Sequence, residues 1–332
     1  ELIKDDRFAL SAVHIMYSGF TGRKVLYKPL DSSESDYQRK LAAYNFQHAL
    51  FTQIANTFVA DNYNLKTVVK EIILSPLYRA VSAENVSNST ILSSVGMGKL
   101  LSPKELDRKI TAILGEPWVW DRNRPNGRHY LVNSDTYKIL YGGINNLSIT
   151  KRNREPNGIM VNLQMRMANQ MSCSVSAYDF TFVDAKQRKF FPYVESSYAP
   201  ATENNFTIPG EVEAIKKNIQ HLHEYILGEK LALNDPEIKR TYDLFESVWR
   251  EGEANVKSED EAIQEDDYLN WSCQARSVYL TGEDFNATTQ KEVRQDRRYI
   301  IRAWSAVMTY LLSDFSFLYE HSGREKWNAE IL

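Results

Sequence analysis

Aromatic and cationic side chains are concentrated in one short stretch of the sequence, residues 116–130. Pro125-Asn126-Gly127 is typical of a turn, so the stretch is predicted to be a loop. Arginine guanidinium groups bind anionic groups bidentately, while indole rings stack on planar partners. The loop is therefore a candidate ligand- or partner-binding site for haem propionates, a carboxylate ligand, a glycan or an acidic protein surface. Its candidate binding residues are Trp118, Trp120, Arg122, Arg124, Arg128 and His129.

The same residues also have a purely structural interpretation. Trp118 and Trp120 can anchor the loop on neighbouring helices while the arginines pair with local carboxylates. If the loop is instead a binding surface, Lys151, Arg152 and Arg154 extend its positive charge. The sequence leaves both interpretations open.

An enzyme is the alternative function for this stretch. It would be a secreted hydrolase or oxidoreductase acting on a polymer or glycan, with a site near Trp120, Arg124, His129 and Tyr130. The sequence contains no GxGxxG, GxxxxGK[ST], GxSxG or HExxH motif, and it nominates no catalytic residue. A non-catalytic role is therefore the first prediction.

Metal, nucleic-acid and membrane functions have little support in the sequence. His221 and Glu224 have the i, i+3 spacing of a carboxylate–histidine metal pair, but the second pair that a dimetal bundle needs is absent, so no metal site is predicted. A net charge of -3 argues against nucleic-acid binding. No run of apolar residues is long enough to predict a transmembrane segment.

Two cysteines, Cys173 and Cys273, are far apart in the sequence. Neither belongs to a CxxC or CxxCH motif, so zinc, iron–sulfur and covalent haem sites within this chain are not expected. A disulfide between them would suit an oxidising compartment. Two separate buried thiols are an equally good interpretation.

Apolar residues at helical spacing predict α-helices along most of the chain. Before residue 80, helices are predicted over 5–20, 34–60 and 64–74, the last with Asn64 as its N-cap and Pro76 as its end. Ser102 and Glu105 then form a capping box, and Gly115 ends that helix.

More helices are predicted after this point, over 134–141, from 156 past Met171, over 210–227 and from 235 onward. The methionines between 160 and 171 are spaced as core residues of a helix. The alternation over 178–183 fits either a short strand or a helix end. Thr289, with Glu292 three residues later, predicts the capping box of a last helix.

The predicted fold is mainly α, a multi-helix bundle-like array with long loops and at most minor β structure. An N-terminal helical module is expected over 1–80, a connecting segment over 81–99, and a larger helical domain over 100–332.

Three stretches resemble helical domains of unknown function in large exported bacterial proteins of planctomycetes and marine proteobacteria. The stretches are Tyr63–Ala80 (YNLKTVVKEIILSPLYRA), Leu100–Asp107 (LLSPKELD) and Arg302–Glu320 (RAWSAVMTYLLSDFSFLYE). Those proteins often carry or accompany c-type cytochrome modules. The resemblance implies a helical, periplasmic or extracellular protein near haem proteins. Because this chain has no CxxCH, it also implies that any covalent haem belongs to a partner chain.

The predicted function is a non-catalytic subunit or domain of an exported, c-type-cytochrome-linked redox assembly, acting through protein–protein contacts. The expected partner is a haem protein or another subunit of that assembly, and no cofactor is expected within this chain.

Overall fold

The structure, a computed structural model, describes residues 5–79, 100–120, 128–145, 147–153, 155–202, 206–262, 264–279 and 281–320. These residues form eleven α-helices, and their only β structure consists of isolated bridges. The predicted mainly α fold is therefore confirmed. None of the helices in these ranges has the length and apolarity needed to cross a membrane.

The chain divides into two compact units, and residues 101–318 form the second. The predicted connecting segment, 81–99, lies outside the described residues, so the domain boundaries stay a prediction.

The described residues of the first unit form four helices: α1 (Asp6–Thr21), α2 (Tyr37–Ala60), α3 (Leu65–Leu74) and α4 (Pro76–Arg79). Asn64 caps α3 as predicted, because its side chain accepts a hydrogen bond from Lys66 N at 3.1 Å. As predicted, α3 ends before Pro76, with Ser75 as its C-cap; Pro76 is then the first residue of α4, where its missing N–H costs nothing. The core contains Val13 and Tyr17 of α1, Phe51 and Phe58 of α2, and Val68 and Ile72 of α3.

Where the second unit is described, it contains seven helices: α5 (Pro103–Leu114), α6 (Tyr130–Asn133), α7 (Asp135–Leu140), α8 (Gly158–Asp179), α9 (Pro209–Leu222), α10 (Pro236–Val256) and α11 (Ile300–Leu312). The predicted capping box and the glycine end of α5 are both confirmed. A single π-helical turn, His223–Leu227, continues α9 and ends at Gly228 in the left-handed conformation. The 3₁₀ helix Trp271–Cys273 lies between α10 and α11.

Helix α8 packs along α11 to form the core of the second unit. Met160, Met167 and Met171 are buried on α8, which confirms these three as core residues, whereas Met165, the fourth methionine of this stretch, is 47% exposed. Polar side chains tie the two helices together: Gln164 Nε2 donates to Leu312 O at 2.9 Å and to Asp314 O at 2.6 Å. The region where a strand or a helix end was expected is the end of α8.

The carboxylate of Asp179 positions the aromatic segment that follows α8. It accepts hydrogen bonds from Lys189 N at 2.8 Å and from Phe190 N and Phe191 N, both at 2.9 Å. Burial raises the pKa of Asp179, and the three N–H donors oppose that shift. The Phe191 ring thereby lies 5.2 Å from the Trp304 ring of α11. The aromatic layer, as we call the rings around Phe191 and Trp304, therefore packs against α11.

The prediction that the last helix begins at Thr289 is wrong. Residues 289–299 are irregular, and antiparallel bridges pair Gln290 with Phe182, Val293 with Ala275 and Gln295 with Tyr268. Helix α11 begins only at Ile300, where Asp296 supplies the cap by accepting from the backbone N–H groups of the first turn. Hydrogen bonds to distant segments therefore override the local capping-box pattern.

Cys173 on α8 and Cys273 form a disulfide, with their Cα atoms 5.2 Å apart. This separation lies within the range that a disulfide spans without moving the backbone. The disulfide attaches the irregular segment between α10 and α11 to the central helix.

Replacement of both cysteines by serine is expected to lower the free energy of unfolding of the second unit. The disulfide closes a loop of 100 residues, for which the lost loop-closure entropy amounts to about 4 to 5 kcal/mol. Urea unfolding of the oxidised chain, with and without a reductant, measures the effect. The reductant should destabilise the wild-type chain and leave the Cys173→Ser/Cys273→Ser variant unchanged; equal stability of all samples would contradict the expectation.

Gly252→Ala is expected to destabilise the second unit, because a Cβ at this position of α10 would lie 2.1 Å from Tyr299 Cδ1. Tyr299 has a positive φ of 60° directly before α11, so its backbone has little freedom to move the ring away. Overpacking of this kind costs about 1 to 3 kcal/mol.

Gly210→Ala is the matched control, because a Cβ there meets no atom within 4 Å. Thermal unfolding should separate the two variants. Equal melting temperatures would show that Tyr299 does not pack against α10.

Candidate binding surface

Residues 118–120 and 128–130, at the two ends of the predicted loop, pair as short extended segments. Gly115 ends α5 in the left-handed conformation and turns the chain toward Trp118. Val119 and His129 form an antiparallel bridge, in which Tyr130 N donates to Trp118 O at 3.0 Å. Extended backbone directs successive side chains to opposite sides, so Trp118 and Trp120 lie on one side and Val119 on the other.

Trp118 anchors this pair of segments to α8. Its side chain is 2% exposed, and its Nε1 donates to Gln170 Oε1 at 2.8 Å. Its ring lies 4.6 Å from Tyr130 and 5.6 Å from Tyr137 of α7. The structural interpretation is therefore correct for Trp118.

Trp120 has the opposite role. Its side chain is 73% exposed, and its ring lies 5.6 Å from Tyr130 in a tilted arrangement. Complete burial of a large apolar side chain is worth about 1.5 to 3 kcal/mol, and Trp120 forgoes most of it. The indole is thus an exposed ring supported from below by an aromatic cluster.

Two exposed arginines belong to the same surface. Arg128 is the first described residue after Trp120. Arg166 of α8 places its guanidinium 5.4 Å from the Tyr137 ring centre. Neither forms an ion pair with a described residue. Burial is the main cause that raises the pKa of Tyr130, and Arg166 opposes it. We call Trp120, Arg128, His129, Tyr130, Tyr137 and Arg166 the Trp120 surface.

The other lysine and arginine residues predicted for this surface differ in their surroundings. Lys151 is exposed, whereas Arg152 Nη1 lies 3.9 Å from Glu105 Oε2 at the start of α5. Arg122, Arg124 and Arg154 lie outside the described residues.

His129 is paired with a buried carboxylate. Its Nδ1 lies 2.8 Å from Asp107 Oδ2 on α5, and its side chain is partly exposed. Asp107 is 6% exposed, and its second oxygen, Oδ1, has no hydrogen-bond partner among the described residues. An Asp–His pair of this kind fixes the orientation of the imidazole and leaves Nε2 to face a ligand.

No protein-family model, no curated protein and no solved structure matches the chain. The chemistry of the Trp120 surface itself is therefore the basis for its function.

Asp107, Tyr137, Arg166 and Gln170 contribute to this site although the sequence analysis did not select them. A signal for Asp107 exists, because it occupies an apolar helical position in the series 103, 107, 110, 114. A carboxylate at such a position indicates a buried polar partner. The other three residues come from α7 and α8, and only the tertiary structure brings them to the loop.

His221 and Glu224, the pair considered as metal ligands, have different surroundings. His221 Nε2 bonds to Lys189 O at 2.9 Å, while Glu224 is exposed. The neighbouring His223 is buried instead, with Nδ1 2.8 Å from Glu229 Oε2 and Nε2 3.0 Å from Thr241 Oγ1. Among the residues with described positions, no three His, Cys, Asp or Glu side chains are grouped to hold a metal ion.

Alanine substitution should separate the two tryptophans of the loop. Trp118→Ala removes a buried ring and leaves Gln170 without its donor, which should cost about 3 to 5 kcal/mol. Trp120→Ala removes an exposed ring and should change stability by at most about 0.5 kcal/mol. Urea unfolding of the two variants checks the assignment; similar losses would contradict it.

Proposed function

We propose that this chain is a non-catalytic binding domain or subunit of an exported redox assembly, and that the Trp120 surface contacts an acidic face of a partner protein. The observation that carries the proposal is the combination of a 73% exposed indole with two arginines that have no carboxylate partner among the described residues. Trp, Tyr and Arg are the residues most enriched among those that dominate protein–protein binding energy.

The aromatic side chains that lie against the Trp120 indole favour a binding role for it over exposure without a function. Tyr130 lies under Trp120, and Tyr130 and Tyr137 are themselves 4.5 Å apart. A ring held in this way loses little conformational entropy when a partner covers it. Leu140 at the end of α7 and Ile144, Leu147 and Ile149 in the segment that follows are further exposed apolar side chains.

Positive charge on the Trp120 surface sets the chemistry of the partner. Arg128 and Arg166 can each bind a carboxylate bidentately, and stacking on an aromatic ring keeps the guanidinium of Arg166 in place. An acidic protein surface or exposed haem propionates would satisfy both residues.

Export of the chain is supported by its disulfide, since such bonds persist in oxidising compartments such as the bacterial periplasm. The link to a c-type cytochrome is supported by the resemblance of residues 63–80, 100–107 and 302–320 to domains that accompany such modules. The partner proposed here is accordingly a haem protein.

Enzymatic activity is the second candidate function, and the Asp107–His129 pair is the observation that favours it. His129 Nε2 is available as a general base for a hydrolytic reaction on a glycan held against Trp120.

Trp120→Ala should release the partner from the native complex without unfolding the chain. The tagged chain, expressed in its own host, is purified under non-denaturing conditions, and the haem absorbance per chain is measured. Trp271→Ala is the matched control, because Trp271 is 69% exposed but lies outside the Trp120 surface.

The wild-type chain and Trp271→Ala should retain the haem protein, and Trp120→Ala should lose it by about tenfold or more. A wild-type chain that purifies as a haem-free monomer would refute the proposed partner. Turnover of a glycan that His129→Gln abolishes would favour the enzyme instead.

A further inference from the structure

A half-enclosed cavity lies in the first unit, and none of its lining residues belongs to the Trp120 surface. Its volume is about 160 Å³, and α1, α2 and the extended segment 25–28 between them form its walls. A dry cavity of about 150 Å³ in another protein accepts benzene. This cavity therefore has room for an apolar body of the size of one six-membered ring.

Apolar side chains form one part of the wall. Leu10 comes from α1, Val25 from the extended segment and Phe51 from α2. Phe51 is buried and its ring lies 4.8 Å from that of Tyr17, so this part of the wall is fixed by the core. Such a wall favours an aliphatic or aromatic ligand over a fully polar one.

Hydrogen-bond donors and cations form the other part. His14 of α1, His48 of α2 and Lys28 line the cavity, and its described lining contains no aspartate or glutamate. His48 and Lys28 are exposed, which places them at the mouth, and His48 stacks on Tyr44 with their ring centres 5.2 Å apart. Burial and then the neighbouring His48 lower the pKa of His14, so a further positive charge is unfavourable here.

Gln47 holds one wall of the cavity in place. It is 2% exposed, and its Oε1 accepts from Leu26 N at 2.7 Å, which holds the segment 25–28 against α2.

We propose that this cavity binds a small organic monocarboxylate. Its apolar body would lie against Leu10, Val25 and Phe51, and its carboxylate would lie at the mouth between His48 and Lys28. The inference goes beyond the proposed function and does not depend on it, because it uses only residues of the first unit.

Benzoate is the probe, titrated into the oxidised full chain and followed by calorimetry and by the ring NMR signals of the six histidines. A ligand of this size is expected to bind with a dissociation constant of about a millimolar. The signals of His14 and His48, assigned with His14→Gln and His48→Gln variants, should move together along one binding curve. Benzamide, the neutral analogue, should bind about tenfold more weakly or not at all.

Lys28→Ala should weaken benzoate binding by about three- to tenfold, the usual loss when one charge-assisted contact is removed. Lys24→Ala is the matched control, since Lys24 is an exposed lysine of the same segment that does not line the cavity. Both substitutions are at exposed positions, and circular dichroism should show an unchanged helix content.

Three results would each overturn the proposal. The His14 and His48 signals could stay unmoved up to the solubility limit of sodium benzoate, benzamide could bind as well as benzoate, or Lys28→Ala and Lys24→Ala could have the same affinity. Loss of partner binding in Trp120→Ala has no bearing on any of them, so this inference and the proposed function fail separately.

Discussion

Burial of α8 is the constraint on which the second unit depends. Its C-terminal half is buried on nearly every face, and small side chains such as Ser172, Ser176 and Ala177 let neighbouring segments approach its backbone closely. One side packs on α11, where Ser172 Oγ lies 2.7 Å from Thr309 Oγ1. The last turn positions the aromatic layer through Asp179, and the disulfide fastens the irregular segment 257–299 to the same helix.

The Trp120 surface is a consequence of that burial. Trp118 can lie in the interior because Gln170 of α8 accepts its only polar hydrogen. Trp120 lies two residues further along the extended backbone, and Tyr130, which itself packs on Tyr137, supports its ring. Arg166, one turn before Gln170 on the same helix, adds charge at the edge of the aromatic cluster. A surface supported in this way needs little reordering, which would lower the entropic cost of the proposed association.

Local sequence signals predicted a helix correctly where all the groups involved lie within that helix. Ser102, Glu105 and Gly115 define α5 because each acts on backbone groups within its own helix. The pattern at Thr289 and Glu292 has the same form but forms no helix, since backbone groups of 290–295 bond to Thr181, Ala275 and Leu269 instead. In the candidate site, residue types singled out the stretch 116–130. The different burial of Trp118 and Trp120 and the pairing of His129 with Asp107 arise from packing on α5 and α8, which no local pattern encodes.

Native-state hydrogen–deuterium exchange of the oxidised chain, resolved by peptide, tests the central claim that α8 is the helix on which the second unit depends. Amides in the C-terminal half of α8 should be the slowest to exchange in the second unit, with α11 next to them and with both opening in a single cooperative event. The described loop ends, 118–120 and 128–130, should be protected only as long as α8 is. If α8 exchanges faster than α9 or α10, or if the loop ends stay protected after α8 has opened, the account is wrong.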